Sequence, residues 1–237
     1  MFLPPSKKLI LSALLLITTL KSFCGIVDHD LMYRAYLDND MQRWGAEIQK
    51  YIAQPNLTIN DKIDLSNYLY GYIAAILTTE KKSVIESLLK VWNGYLNDIE
   101  AAKGNRADVH VYRSAIAAYR FKLNPMLLAQ ATRSLNELDR ALHTDPNHFL
   151  ALQLKGNVKF YMPGNKKESI TWFERALQQH DTTTLYRWNR CAIALCLAQA
   201  YEKTGNKQKA IDICTAFLQH EPNYAYMRNT YLPSLTR

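Results

Sequence analysis

Dense basic stripes, paired cysteines, glycine-rich loops and strand-like alternation are all missing from this 237-residue chain. No phosphate-cradling loop, His-Glu-x-x-His helix, Cys-x-x-Cys pair or nucleophile elbow occurs, which removes sequence support for nucleotide, zinc-hydrolase and acyl-transfer chemistry. Asp28-His29-Asp30 brings three metal-ligating types together, but consecutive residues on a helix point in different directions and do not converge on one ion. The formal charge is +8, a mild excess spread over Arg113, Arg120, Lys166-Lys167 and Lys207-x-Lys209. Such scattering suits solvated helix faces better than a nucleic-acid footprint. The first long apolar run, Leu9 to Leu20, has twelve residues; that is about 18 Å of helix, short of a bilayer span.

What that run does fit is a leader. Lys7-Lys8 precede it and Lys21-Ser22-Phe23-Cys24-Gly25 follow, the order of a secretory signal peptide over residues 1–24 with cleavage after Cys24. The expected location is therefore exported and periplasmic; the alternative is a lipid anchor at Cys24, although Lys21-Ser22-Phe23 is a poor acylation box. Beyond the leader stand Cys191, Cys196 and Cys214, an odd number that leaves at least one thiol unpaired. Cys191 and Cys196 are turned about 140° apart on one helix. A Cys196–Cys214 bridge stays open, beside the reading of all three as small packing residues.

Breakers cut the rest into helices. Gln54-Pro55-Asn56, Lys103-Gly104-Asn105, Asn124-Pro125, Asp145-Pro146-Asn147, Met162-Pro163-Gly164-Asn165, Gly205-Asn206 and Glu221-Pro222-Asn223 are the punctuation. Between them apolar residues recur at helical spacing; Leu127, Leu128, Ala131, Leu135, Leu138 and Leu142 predict one buried stripe. Five antiparallel hairpins result: 28–38 with 40–53, 59–78 with 80–102, 106–122 with 125–143, 147–161 with 166–180, and 184–203 with 207–220. Asn124 before Pro125 predicts a cap and a first-turn proline, and His143, His180 and His220 are expected in last turns, where the helix dipole favours them. Small residues mark close approaches: Gly71, Ala118, Gly156 and Ala198 on first helices, Ala141, Ala176 and Ala210 on second ones. The chain is read as a divergent hairpin over 25–55, a repeat domain over 56–222 and a short tail over 223–237.

Leu197-Ala198-x-x-Tyr201, Gly205, Ala210 and Pro222 follow the ladder of a tetratricopeptide (TPR) repeat, and Gly156, Gly164-Asn165 and Ile170-x-x-Phe173-x-x-Ala176-Leu177 repeat it. With Tyr70-Gly71-Tyr72-Ile73, Phe160-Tyr161-Met162-Pro163, Trp172-Phe173 and Tyr231-Leu232-Pro233, the chain resembles a broad family of exported bacterial TPR proteins, mostly without an assigned role. Members usually carry a longer glycine-rich insertion after the Met-Pro, shortened here to Gly164-Asn165. The resemblance implies an all-α, TPR-like solenoid of about five hairpins in a right-handed superhelix.

A repeat stack binds along its inner groove, lined by first helices. Applied to this chain, that rule selects Tyr68, Tyr72, Tyr112, Tyr119, Gln153, Asn157, Phe160, Tyr161, Gln199 and Lys203. A row of tyrosines offers rigid amphipathic area to an extended partner; the same residues also suit the core between hairpins. The function expected is a non-catalytic scaffold for a protein or peptide partner in the cell envelope, with no cofactor, no nucleic acid and no permanent membrane span. The alternative is a small-ligand carrier or accessory subunit of an exported uptake system.

Overall fold

The computed structural model describes residues 26–104, 106–161, 165–180 and 183–236; the leader, Cys24 and the Met162-Pro163-Gly164 punctuation lie outside them. Its helices are α1 His29–Leu37, α2 Met41–Ile52, α3 Ile59–Ile76, α4 Lys82–Lys103, α5 Ala107–Leu123, α6 Leu128–Thr144, α7 Phe149–Tyr161, α8 Lys166–Gln178, α9 Arg187–Lys203, α10 Lys207–His220 and α11 Leu232–Thr236. A 3-10 turn, Thr184–Tyr186, leads into α9, and a π turn, Met227–Tyr231, leads into α11. No strand occurs among the described residues.

Local chemistry sets the boundaries. Asp28, Asp40 and Asn206 cap α1, α2 and α10 by accepting from backbone amides inside the first turn, satisfying donors the helix cannot. Thr58 and Asp61 form a reciprocal capping box on α3. Asp61 also accepts from the Ile26 amide at 3.0 Å, tying the start of the described chain to α3. Gly104 and Gly205 take φ of +77° and +90° after α4 and α9, where a side chain would be strained.

Each helix reverses the one before it. Lys62 at the start of α3 pairs with Asp98 near the end of α4 at 2.6 Å. Arg120 near the end of α5 lies 3.7 Å from Glu86 near the start of α4, and Arg113 takes Glu100 in a two-pronged grip at 2.7 and 2.8 Å. The result is an all-α solenoid of five stacked hairpins, closed off by the C-terminal segment. That segment, expected only as a short tail, buries Tyr224, Met227, Tyr231 and Leu235 and covers the apolar face that a terminal repeat would otherwise expose.

Several expectations change. Pro125 does not begin a helix: Asn124 to Leu127 form a turn in which Leu127 N–H donates to the Asn124 carbonyl at 3.0 Å, and α6 starts at Leu128. The predicted α6 stripe is rotated, for Leu127, Leu128 and Leu135 are exposed and the helix packs through Ser134, Glu137, Leu138 and Ala141. The cause is polar: the Ser114 hydroxyl donates to the Ser134 carbonyl at 2.7 Å, and His110 Nδ1 meets Glu137 Oε2 at 2.7 Å in the α5–α6 seam. Ser114, fully buried, makes the close approach assigned to Ala118, which is only half-buried. The small residues Gly71, Ser114, Gly156 and Ala198 then stand 43, 42 and 42 residues apart. His180 lies beyond the end of α8, its Nε2 2.9 Å from the Tyr186 carbonyl oxygen. The three thiols are unbridged; burial pushes Cys191 and Cys196 up to about 12 and Cys214 to about 11, which suits inert packing residues.

Candidate functional site

The inner face decides the site, and most of it is filled. The first helices of the hairpins, α1, α3, α5, α7 and α9, line the inside of the stack; α9 returns to touch α1, and its first turn and the 3-10 turn before it reach α3. Trp188 at the start of α9 packs against Trp44 of α2, centroids 5.3 Å apart, against Tyr36 of α1 at 5.5 Å and against Tyr70 of α3 at 6.1 Å. Gly71 makes room for this: a Cβ there would run into Trp188 and stand 2.6 Å from Trp44. Polar groups pin the same seam. Asn67 Nδ2 donates to the Leu185 carbonyl at 3.0 Å and to Asn189 Oδ1 at 3.1 Å, Arg187 covers the Tyr33 ring at 4.0 Å and meets Asp30 at 3.0 Å, and the Tyr36 and Tyr224 hydroxyls are 3.0 Å apart.

Burial sorts the ten groove candidates. Tyr68, Tyr112 and Gln153 are buried and line no open groove: Tyr68 is packed among α1 and α2, and Tyr112 between α3 and α4. Tyr68 Oη meets His29 Nδ1 at 2.8 Å; Tyr112 packs on Trp92, centroids 5.6 Å apart. Tyr119 is half-buried, donates to the Tyr70 carbonyl at 3.0 Å and stacks on the Tyr70 ring. Burial holds the phenols of Tyr68, Tyr70, Tyr112 and Tyr119 far above their ordinary value, so they remain protonated. Asp28, His29 and Asp30 are likewise spent on structure: a cap, the Tyr68 contact and the Arg187 pair. No group of metal-ligating side chains occurs among the described residues.

The other candidates remain accessible. Tyr72, Asn157, Phe160 and Gln199 are half-buried, while Tyr161 and Lys203 are exposed, Tyr161 by 77%. All six lie in the C-terminal halves of α3, α7 and α9, at the end of the stack where first helices turn into second ones. Phe160 and Tyr161 meet edge to face at 5.1 Å, and Cys196 of α9 is close enough to act electrostatically on both Tyr70 and Tyr161. Tyr72 lies over Gly45, where any Cβ would strike its ring.

Sequence reasoning missed a cavity at the opposite end, where α5 and α7 begin and the 3-10 turn leads into α9. It measures about 450 Å³ and is lined by Arg106, Asp108, Asp145, His148, Phe149 and Tyr186 among others. Arg106 forks onto Asp108 at 2.8 and 2.9 Å. Burial pushes the His148 imidazole below its ordinary pKa, and its Nδ1 has no hydrogen-bond partner. The breakers at 103–105 and 145–147 marked two of these loops, but nothing in the sequence placed them together.

No protein-family model matches the chain, and no curated protein matches it in sequence. Solved structures do match in fold. A thermophilic TPR protein from Thermus thermophilus aligns with a TM-score of 0.53 at 13% identity, over 85% of this chain and 91% of its own. The HusA haemophore from Porphyromonas gingivalis aligns with a TM-score of 0.55 at 15% identity, over 76% of this chain and 96% of its own. The chain thus has a TPR-like fold, and at these identities the likeness is one of fold alone.

Proposed function

We propose that this protein is an exported, non-catalytic helical scaffold that holds a protein or peptide partner in the cell envelope. The supporting observation is the sorting of the groove candidates: packing between hairpins buries Tyr68 and Tyr112 and leaves Tyr161 exposed at the end of the stack that also carries Asn157, Phe160, Gln199 and Lys203. An exposed tyrosine backed by a half-buried phenylalanine, with amide and ammonium groups at the same end, offers an anchor and a polar rim, the division of labour that protein interfaces use. The leader-like residues 1–24 support export, and the repeat architecture supports a binding role.

The experiment compares the parent with a Tyr161→Ala variant in affinity capture from a cell-envelope extract. A stoichiometric partner lost from the variant, with melting unchanged, is the expected result. A partner held equally by both would move the binding face elsewhere.

A second reading, a small-ligand carrier or accessory subunit of an uptake system, is favoured by the 450 Å³ cavity, which is within the size range of ligand sites. The haemophore among the fold neighbours gives a precedent for cargo on this architecture. A native mass spectrum of the purified protein tests it: a retained ligand, lost on His148→Leu substitution, would favour this reading over the scaffold.

A further inference from the structure

A different surface at the turn end carries its own message. Met126, Leu127 and Leu128 follow one another around the α5–α6 turn, with Met126 exposed by 85% and Leu128 by 69%. They stand at a tip instead of lining a groove, with Leu127 the most covered of the three at 42% exposure. Large apolar residues grouped in this way on an otherwise polar surface mark an interaction site.

The unpaired charges around them are mainly basic. Lys81 and Lys82 open α4 on one side of this turn, Lys122 stands in the last turn of α5, and Lys166 and Lys167 open α8 on the other side. All five are exposed, and none lies in an ion pair among the described residues. Of the acids at this end, Glu168 is already held by Lys159 at 2.9 Å, Glu80 stands beside Lys81, and Asp38 and Asp40 belong to the first hairpin. Four of the lysines also sit where they cost stability. The first turn of a helix repels cations, yet α4 and α8 both begin on paired lysines.

We propose that this end of the molecule docks on an anionic lipid surface, with Met126, Leu127 and Leu128 entering the interface and Lys81, Lys82, Lys122, Lys166 and Lys167 meeting the headgroups. Charge complementarity supplies the direction: unpaired lysines around an apolar tip match a negative plane that is apolar just below. Geometry favours a membrane over a peptide. Because every second helix reverses the first, the turns of successive hairpins form one face of the stack, and protruding tips on such a face meet a plane more readily than they enclose a strand or helix. The described helices include none long and apolar enough to cross a membrane, so the contact is peripheral.

Vesicle co-sedimentation of the chain from Ile26 onward tests this, since that length holds every described element and leaves out the apolar run of the leader. At 0.15 M salt the protein is expected to partition onto vesicles of phosphatidylcholine with about 30% phosphatidylglycerol, and not onto phosphatidylcholine alone, because each lysine near such a surface adds about fivefold. Met126→Ser/Leu128→Ser should lower that partition at least tenfold. Lys81→Gln/Lys82→Gln/Lys122→Gln should lower it as strongly and flatten its salt dependence. Neither variant should melt appreciably below the parent, as Met126 and Leu128 are largely exposed and the lysines make no ion pair among the described residues; relief of the first-turn repulsion would raise the lysine variant's melting slightly. Equal binding to neutral vesicles, no binding to the anionic ones, or undiminished binding by the apolar variant overturns the proposal. So does a parent dimer, seen by sedimentation velocity without vesicle binding, that the Met126→Ser/Leu128→Ser change disperses; the tip would then belong to a second copy.

Discussion

Gly71 and Gly156 owe their glycines to space. A Cβ on Gly156 would stand 2.6 Å from the Phe173 ring across the α7–α8 pair, and one on Gly71 would collide with Trp188. Gly71→Ala and Gly156→Leu should each cost about 1–3 kcal/mol through overpacking, measured by urea denaturation; unchanged midpoints would disprove the close approach. The tyrosines divide the same way. Tyr112→Ala empties a fully buried aromatic site and should cost about 3–5 kcal/mol, whereas Tyr161→Ala should stay within about 0.5 kcal/mol. Asp61 adds a pH signature. Burial opposes its charge, but hydrogen bonds from Thr58 and the Ile26 amide outweigh burial and lower its pKa below the ordinary 3.8. A carboxyl lowered on folding stabilises above its unfolded pKa and loses that contribution as pH falls through the folded one. Asp61→Asn should therefore melt below the parent at pH 7, with the gap closing below about pH 4; a gap constant from pH 7 to 2.5 would refute this.

Helix α6 shows how an element can be located correctly and still be turned the wrong way. Two stripes compete on it. One is the predicted apolar stripe, through Leu127, Leu128, Ala131, Leu135, Leu138 and Leu142; the other, which shares Leu138 with it, combines Ser134, Glu137, Leu138 and Ala141. Periodicity selects the first because it counts hydrophobic residues. Packing selects the second, because Ser114 and His110 on α5 need the Ser134 carbonyl and Glu137, and a buried polar group without a partner costs about 1–3 kcal/mol. At the other extreme, the start of α3 is legible in four residues: Thr58 and Asp61 satisfy each other's amides. Thr58→Ala should destabilise by about 1 kcal/mol, seen as a lower melting temperature; no shift would mean that the Ile26 tether alone fixes this end.

Closure of the stack is a property of the whole molecule. Five hairpins curl until α9 meets α1 and α3, and the contact is mainly aromatic: Tyr36, Trp44, Tyr70 and Trp188 touch in succession. The Asp30–Arg187 pair is largely solvated, with side chains 68% and 42% exposed, and such pairs contribute little. Trp188→Ala should therefore loosen the ring, raising amide exchange in residues 67–73 of α3 together with that of α9. A change confined to α9 would mean that the two ends of the stack are not energetically coupled.

Helix positions, hairpin pairing and the repeat ladder were determined by the sequence alone, because breakers, caps and small residues act within a few tens of residues and leave local marks. Gly156, Phe173 and Ala198 could be assigned to contacts for that reason. Which face of α6 is buried, and whether the groove tyrosines see solvent, depends on partners brought together only by the fold, some more than a hundred residues away. Trp188 fills the space in front of Gly71, and Asn189 answers Asn67. Tyr112 and Tyr161 are the same residue type on equivalent helices, yet one is buried and the other exposed. The neighbouring hairpin distinguishes them, for Tyr112 meets Tyr70 and Trp92 while Tyr161 ends its helix in solvent: burial is a property of what lies opposite a side chain and not of the side chain itself.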